Sequence, residues 1–65
     1  MSYRELEVFH FIGEGYDTRE IAEHLEVNIK TIQTYSSRIR EKLALNSRAE
    51  LVREAIRWNA TKLLR

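Results

Sequence analysis

The chain has no cysteine and no proline, and among its 65 residues only Gly13 and Gly15 are glycine. Without cysteine there is neither a disulfide framework nor a thiol nucleophile, which suits a reducing compartment, and a cytoplasmic location is expected. Without proline or glycine punctuation, long loops and β-hairpins have little support, and strand-like alternation is missing too. No apolar run approaches the ~18 residues of a membrane span, and no signal peptide is visible. His10 and His24 are the only histidines. No metal cluster and no nucleophile–base pair can be assembled from the composition, and so short a chain encloses no substrate pocket. An enzyme, a cofactor and a small-molecule substrate are therefore not expected. What remains is a single all-α domain over residues 1–65. A chain this short buries only about 60% of its unfolded surface, so its stability is marginal.

The net charge of +1 hides a division along the chain. Residues 1–26 hold two basic and seven acidic residues, a net of −5, whereas residues 27–65 hold nine basic and three acidic, a net of +6. A segregated cationic half is an electrostatic footprint of nucleic-acid binding, although chance produces such asymmetry in short chains as well.

Three capping boxes mark helix starts: Ser2 with Glu5, Asp17 with Glu20, and Ser47 with Glu50. Asn28 is an N-cap for a further helix. Helices are expected at about 3–14, 18–25, 29–43 and 48–60, a compact four-helix bundle. Their inward residues read as Val8, Phe9 and Ile12, then Ile21, Ala22 and Leu25, then Ile32, Ser36, Ile39 and Leu43. In the last helix they read as Ala49, Val52, Ala55 and Ile56. Gly15 is placed for a left-handed residue beyond the first helix. His10 is expected at or near the surface, and residues 58–65 either continue the last helix or fray. The second and third helices are separated by so short a turn that they must cross steeply, as in a helix-turn-helix. Glu26 stands in that turn, where glycine is common.

The third helix carries Lys30, Gln33, Thr34, Ser37, Arg38 and Glu41 on its outer side. Hydroxyls, an amide and cations are the side chains that read base edges and hold phosphates. An ordinary solvated helix explains this face about as well, taken alone.

The combined pattern is more specific. Arg4-Glu5-x-Glu7-Val8, Ile12 and Gly15, Glu20-Ile21-Ala22-x-x-Leu25, Val27 and Lys30-Thr31-Ile32 are followed by Ile39, Lys42-Leu43 and Ser47-Arg48-Ala49-Glu50-Leu51. Over nearly all of residues 2–56 the chain resembles the LuxR/NarL-type (GerE-type) DNA-binding domain, the output module of many bacterial response regulators of two-component systems and of quorum-sensing regulators. The resemblance implies sequence-specific binding of double-stranded DNA by a transcription regulator, with helix 29–43 in the major groove. Base contacts are then expected from Gln33, Thr34 and Ser37, and phosphate contacts from Thr18, Lys30, Thr31, Tyr35 and Arg38. The fourth helix is the family's usual contact between two copies, which puts Leu51, Ala55 and Trp58 at a homodimer interface formed on DNA. RNA polymerase is a further partner that the resemblance implies, and a membrane is not. Glu5, Lys42 and Arg48 are expected to tie the first helix to the end of the third and not to touch DNA.

The sequence departs from the family at three places. Tyr35 stands where histidine is common, and Ala44 replaces a glycine usual after the third helix, so the joint differs or Ala44 bears strain of about 1 kcal/mol. The three base-reading positions are all neutral, which favours adenine and thymine methyls over guanine. Met1 occupies a position where the family usually has leucine, and a sensing or receiver segment, if the protein has one, is expected before it. Two other readings compete. A promoter-reading sigma-factor domain shares the helix-turn-helix, but the Ser47–Leu51 run and the helix it opens speak against it. A protein-interaction module would need apolar anchors on the outer face, and Gln33, Thr34, Ser37 and Arg38 supply none.

Overall fold

The computed structural model describes residues 1–63; Leu64 and Arg65, and with them the end of the expected 58–65 extension, lie outside the described residues. Four helices follow one another: α1 (Tyr3–Gly13), α2 (Thr18–Leu25), α3 (Ile29–Lys42) and α4 (Arg48–Leu63), and no strand occurs among the described residues. The fold is all-α.

Side chains that satisfy the orphan amides of the first turn set each start. Ser2 and Asp17 make full reciprocal boxes: each side chain accepts from the amide three residues on, and Glu5 and Glu20 return the bond to the cap amide. Asn28 Oδ1 accepts from the Lys30 amide at 2.8 Å. The third box is stretched by one residue. Ser47 Oγ accepts from the Glu50 amide at 3.2 Å, but the Glu50 carboxylate reaches back to the Asn46 amide at 2.8 Å, not to Ser47.

The first three helices end alike. Beyond each one a residue turns left-handed: Gly15 at φ 95°, Glu26 at φ 56° and Ala44 at φ 55°. The amide of the next residue then bonds a carbonyl five back: Tyr16 to Phe11 at 3.1 Å, Val27 to Ala22 at 3.0 Å, Leu45 to Arg40 at 2.9 Å. This is the Schellman closure, and Tyr16, Val27 and Leu45 each pack against the core as its apolar partner. Only one of the three positions carries the glycine that adopts such a φ without penalty. Ala44 therefore bears the strain of a left-handed residue.

The core comprises Val8, Phe9, Ile12, Ile21, Ala22, Ile32, Ile39, Leu51 and Ala55. α1 touches all three other helices and packs most extensively on α4. The two approach so closely that a Cβ on Gly13 would lie 2.6 Å from the Ala55 carbonyl oxygen and 2.5 Å from Asn59 Nδ2. Asn59 fastens the same contact by donating from Nδ2 to the His10 carbonyl at 3.0 Å, with its Oδ1 3.3 Å from His10 Nδ1. His10 is accordingly half-buried.

That close approach rotates α4 away from the expected inward line. Leu51 and Ala55 are fully buried, and Trp58 packs on Phe9 with ring centroids 5.3 Å apart. Ala49 is exposed, Val52 is only partly buried and Ile56 is 52% exposed. Leu43, expected on the inward stripe of α3, is the C-cap and is 40% exposed, because α3 ends at Lys42.

Candidate nucleic-acid interface

α2 and α3 are joined through Glu26, Val27 and Asn28 alone, which fixes α3 across α2, and Ala22 of α2 is buried in the core at 4% exposed. α3 buries Ile32, Ser36 and Ile39 and turns its opposite face to solvent. The three positions expected to read bases, Gln33, Thr34 and Ser37, are all exposed on that face, as are Lys30 and Arg38. Thr31 and Tyr35 are half-buried on its flanks, and Tyr35 packs partly against the core, so its ring is anchored. Thr18 opens α2, half-buried, and lines one hollow with Gln33 and Ser37. The expected residues thus fall on one connected surface.

Two details refine the chemistry. Thr34 Oγ1 donates to the Lys30 carbonyl at 3.1 Å. With its one hydrogen engaged in the helix, Thr34 keeps an acceptor lone pair and a methyl group to offer a base. Ile29, 41% exposed and one turn before Gln33, adds an apolar side chain to the same row. Sequence reasoning missed it, although the i, i+4 spacing from Gln33 marks it.

The cations of this half divide by environment. Lys42 Nζ meets Glu5 Oε1 at 2.8 Å, and the same carboxylate oxygen accepts from the Ser2 amide at 2.9 Å. The Lys42 hydrogen bond and then the Ser2 amide hold the Glu5 carboxyl down from its ordinary 4.5 to about 2, against the opposing effect of burial. This pair ties the C-terminal end of α3 to α1. Arg48, the other cation expected in the tie, is not in it: it sits exposed at the start of α4 and lines the hollow with Thr18, Gln33 and Ser37. Arg40, overlooked in the sequence, lines the same hollow and donates from Nη2 to the Asn46 carbonyl at 3.0 Å.

The expected pairing residues do not form a surface. Leu51 and Ala55 are core side chains with no exposed area, and Trp58 is partly buried on Phe9. The reason is the Gly13–Ala55 approach, which turns that side of α4 inward. The apolar surface left on α4 is Ile56 with Val52 one turn before it. Among the described residues no group of three His, Cys, Asp or Glu side chains is placed to hold a metal ion. No helix of the described residues is long and apolar enough to cross a membrane.

A short helix crossing a second, solvent-facing helix through a three-residue turn, with two further helices as a base, defines a helix-turn-helix domain. The family model for bacterial regulatory proteins of the luxR family matches residues 1–55. The chain belongs to that family, whose members are DNA-binding transcription regulators. It is 44% identical over 57 residues to the oxygen regulatory protein NreC of Staphylococcus carnosus (strain TM300), covering 88% of this chain and 26% of that protein. The NreC of Staphylococcus aureus (strain JH9) matches with the same identity and coverage. The chain thus spans about a quarter of the length of these curated relatives. No solved structure matches it significantly.

Proposed function

We propose that this domain binds double-stranded DNA sequence-specifically by inserting α3 into the major groove, as the output module of a response regulator. The observation that carries the reading is the exposed face of α3. There Gln33, Thr34 and Ser37 stand clear of the core while Lys30 and Arg38 flank them. Neutral hydrogen-bonding groups in the middle, with cations at the edges, match base edges between two phosphate rows. Gln33 and Ser37 supply the hydrogen-bonding readout, and Thr34 and Ile29 offer methyl groups to thymine. Thr18, Lys30, Thr31, Tyr35 and Arg38 are assigned to phosphates. Similarity to NreC supports the response-regulator assignment, with the signal received outside this domain.

One such domain reads only a few base pairs, so two copies on adjacent half-sites provide the specificity a regulator needs. The exposed Ile56 and the partly exposed Val52 are the surface of α4 available for that pairing. RNA polymerase is a further contact of a regulator so placed.

The test is selection of bound duplexes from a random pool, followed by titration of the enriched and scrambled sequences over a range of salt. The expected result is a consensus of a few base pairs per half-site and tighter binding of the enriched duplex at every salt concentration. Binding that depends on salt but enriches no sequence overturns the reading.

A further inference from the structure

A second site adjoins the base-reading row. Where α2, α3 and α4 meet, Thr18, Gln33, Ser36, Ser37, Arg40 and Arg48 line a hollow. Two of its polar atoms, Ser36 Oγ and Arg40 Nε, are buried without a hydrogen-bond partner among the described residues. Ser36 as a whole is only 8% exposed. Both atoms are closed to solvent, so they make the floor of the hollow polar, and the groups within reach of a ligand are the guanidinium heads above it. Arg40 is held by its Nη2 bond to the Asn46 carbonyl, which fixes its guanidinium beside the hollow. Arg48 adds a second guanidinium from the first residue of α4, and none of the lining residues is a carboxylate. Two cationic forks and a hydroxyl, unneutralised in a shared recess, are complementary to an oxyanion.

We propose that this hollow seats one phosphodiester of the DNA backbone, held by the guanidinium groups of Arg48 and Arg40 above the buried Ser36 hydroxyl. The assignment rests on the DNA-binding reading above. Gln33 and Ser37 belong both to the base-reading row and to the hollow, so a duplex lying on α3 brings a phosphate to its rim. Gln33, Ser37 and Arg48 are exposed and free to adjust as it enters. Seating a phosphate there fixes how deeply the middle of α3 sits in the groove, which makes Arg40 and Arg48 positioning residues for the readout by Gln33 and Ser37.

Arg48→Ala, Arg48→Lys and a control, Arg53→Ala, which removes an equal charge from an exposed site on α4, are compared by fluorescence anisotropy with a labelled duplex at several salt concentrations. Circular dichroism checks folding. Arg48→Ala is expected to weaken binding to every duplex on the order of tenfold and to flatten the slope of log K against log salt by about 0.9. Arg48→Lys should recover most of the slope, and Arg53→Ala should leave it unchanged. In the intact domain the Arg40 Nε–H resonance should shift on adding duplex. If folded Arg48→Ala titrates like Arg53→Ala, or the Arg40 resonance does not move on saturation with duplex, the proposal is overturned. Because any duplex carries phosphates, loss of sequence preference in the wild type would sink the specific-readout reading without altering these slopes.

Discussion

Lys42, the last residue of α3, donates to Glu5 of α1 across 37 positions of sequence at 2.8 Å, and the acceptor side chain is 4% exposed while the donor is 49% exposed. The pair fixes the end of α3 relative to the base of the domain without occupying its outer face. Removing Lys42 would leave the buried Glu5 charge without its counter-ion, and removing the Glu5 charge forfeits its charge-assisted bonds from Lys42 and the Ser2 amide.

Glu5→Gln is accordingly expected to lower Tm by several degrees near neutral pH. Because folding depresses the Glu5 pKa from 4.5 to about 2, its contribution is present above pH 4.5 and is lost as pH falls toward 2. The wild-type Tm should therefore decline across that window more steeply than the Tm of Glu5→Gln. Thermal melts followed by circular dichroism at successive pH values check this, and parallel curves for the two proteins would contradict it.

The left-handed residues offer a gain instead of a loss. Ala44 at φ 55° bears a steric penalty of about 1–2 kcal/mol, partly offset in the unfolded state by the lower entropy of alanine. Ala44→Gly should stabilise the domain by roughly 0.5–1 kcal/mol, read as a rise in the urea midpoint at unchanged m. A lower midpoint would mean that the joint is not strained.

Gly13→Ala should act in the opposite direction. Its Cβ would meet backbone atoms of Ala55 at 2.6 and 2.8 Å, which no rotamer change relieves. Separating α1 from α4 costs about 1–3 kcal/mol of packing. An Asn59→Ala change should lose less, since it removes one clasp and leaves the helices in place. Equal stabilities of Gly13→Ala and wild type in urea would refute the account.

The helix starts were legible because Ser2, Asp17, Asn28 and Ser47 are local signals, each acting on amides within three residues of itself. The helix ends were less so. Neither Glu26 nor Ala44 favours a left-handed conformation, and only the glycine usual at those places hinted at one; Schellman closure and core contacts by Val27 and Leu45 impose it. The rotation of α4 was invisible for a similar reason. It follows from one close approach of Gly13 to Ala55, 42 positions apart, and periodicity within α4 alone does not determine which of its apolar edges faces α1. On α3, Gln33, Thr34 and Ser37 were legible as an outer face, whereas Arg40 and Arg48 acquire their setting only when three helices meet. Ser36 was the available clue: a hydroxyl at an inward position with Arg40 four residues on.

Base readout and phosphate contact separate by their effects. Gln33→Ala should cost roughly 1–3 kcal/mol on the preferred duplex and relax selection at one position. Arg38, exposed at the edge of the same face, should on replacement by alanine weaken all duplexes alike and lower the salt slope by about one phosphate contact. Competition titrations with single-base variants decide the matter. An unchanged base preference in Gln33→Ala would remove that residue from the readout.

The pairing surface is tested at Ile56. A variant at Leu51 is uninformative, because that side chain has no exposed area and its replacement by a charge would disrupt the core. Ile56, 52% exposed on α4, can accept glutamate with little effect on folding. If two domains meet through Ile56 and Val52, both copies use the same patch, the residues of one set against those of the other about the two-fold axis. Ile56→Glu would then bring two charges into a small apolar contact. So small a patch supports at most weak association in solution, with pairing strengthened when two half-sites about one helical turn apart hold the copies together. Ile56→Glu should therefore bind a single half-site as the wild type does, yet lose cooperativity on the double site. Quantitative gel shifts on one-site and two-site duplexes separate these effects. Undiminished cooperativity in the folded variant would place the contact between copies somewhere other than this edge of α4.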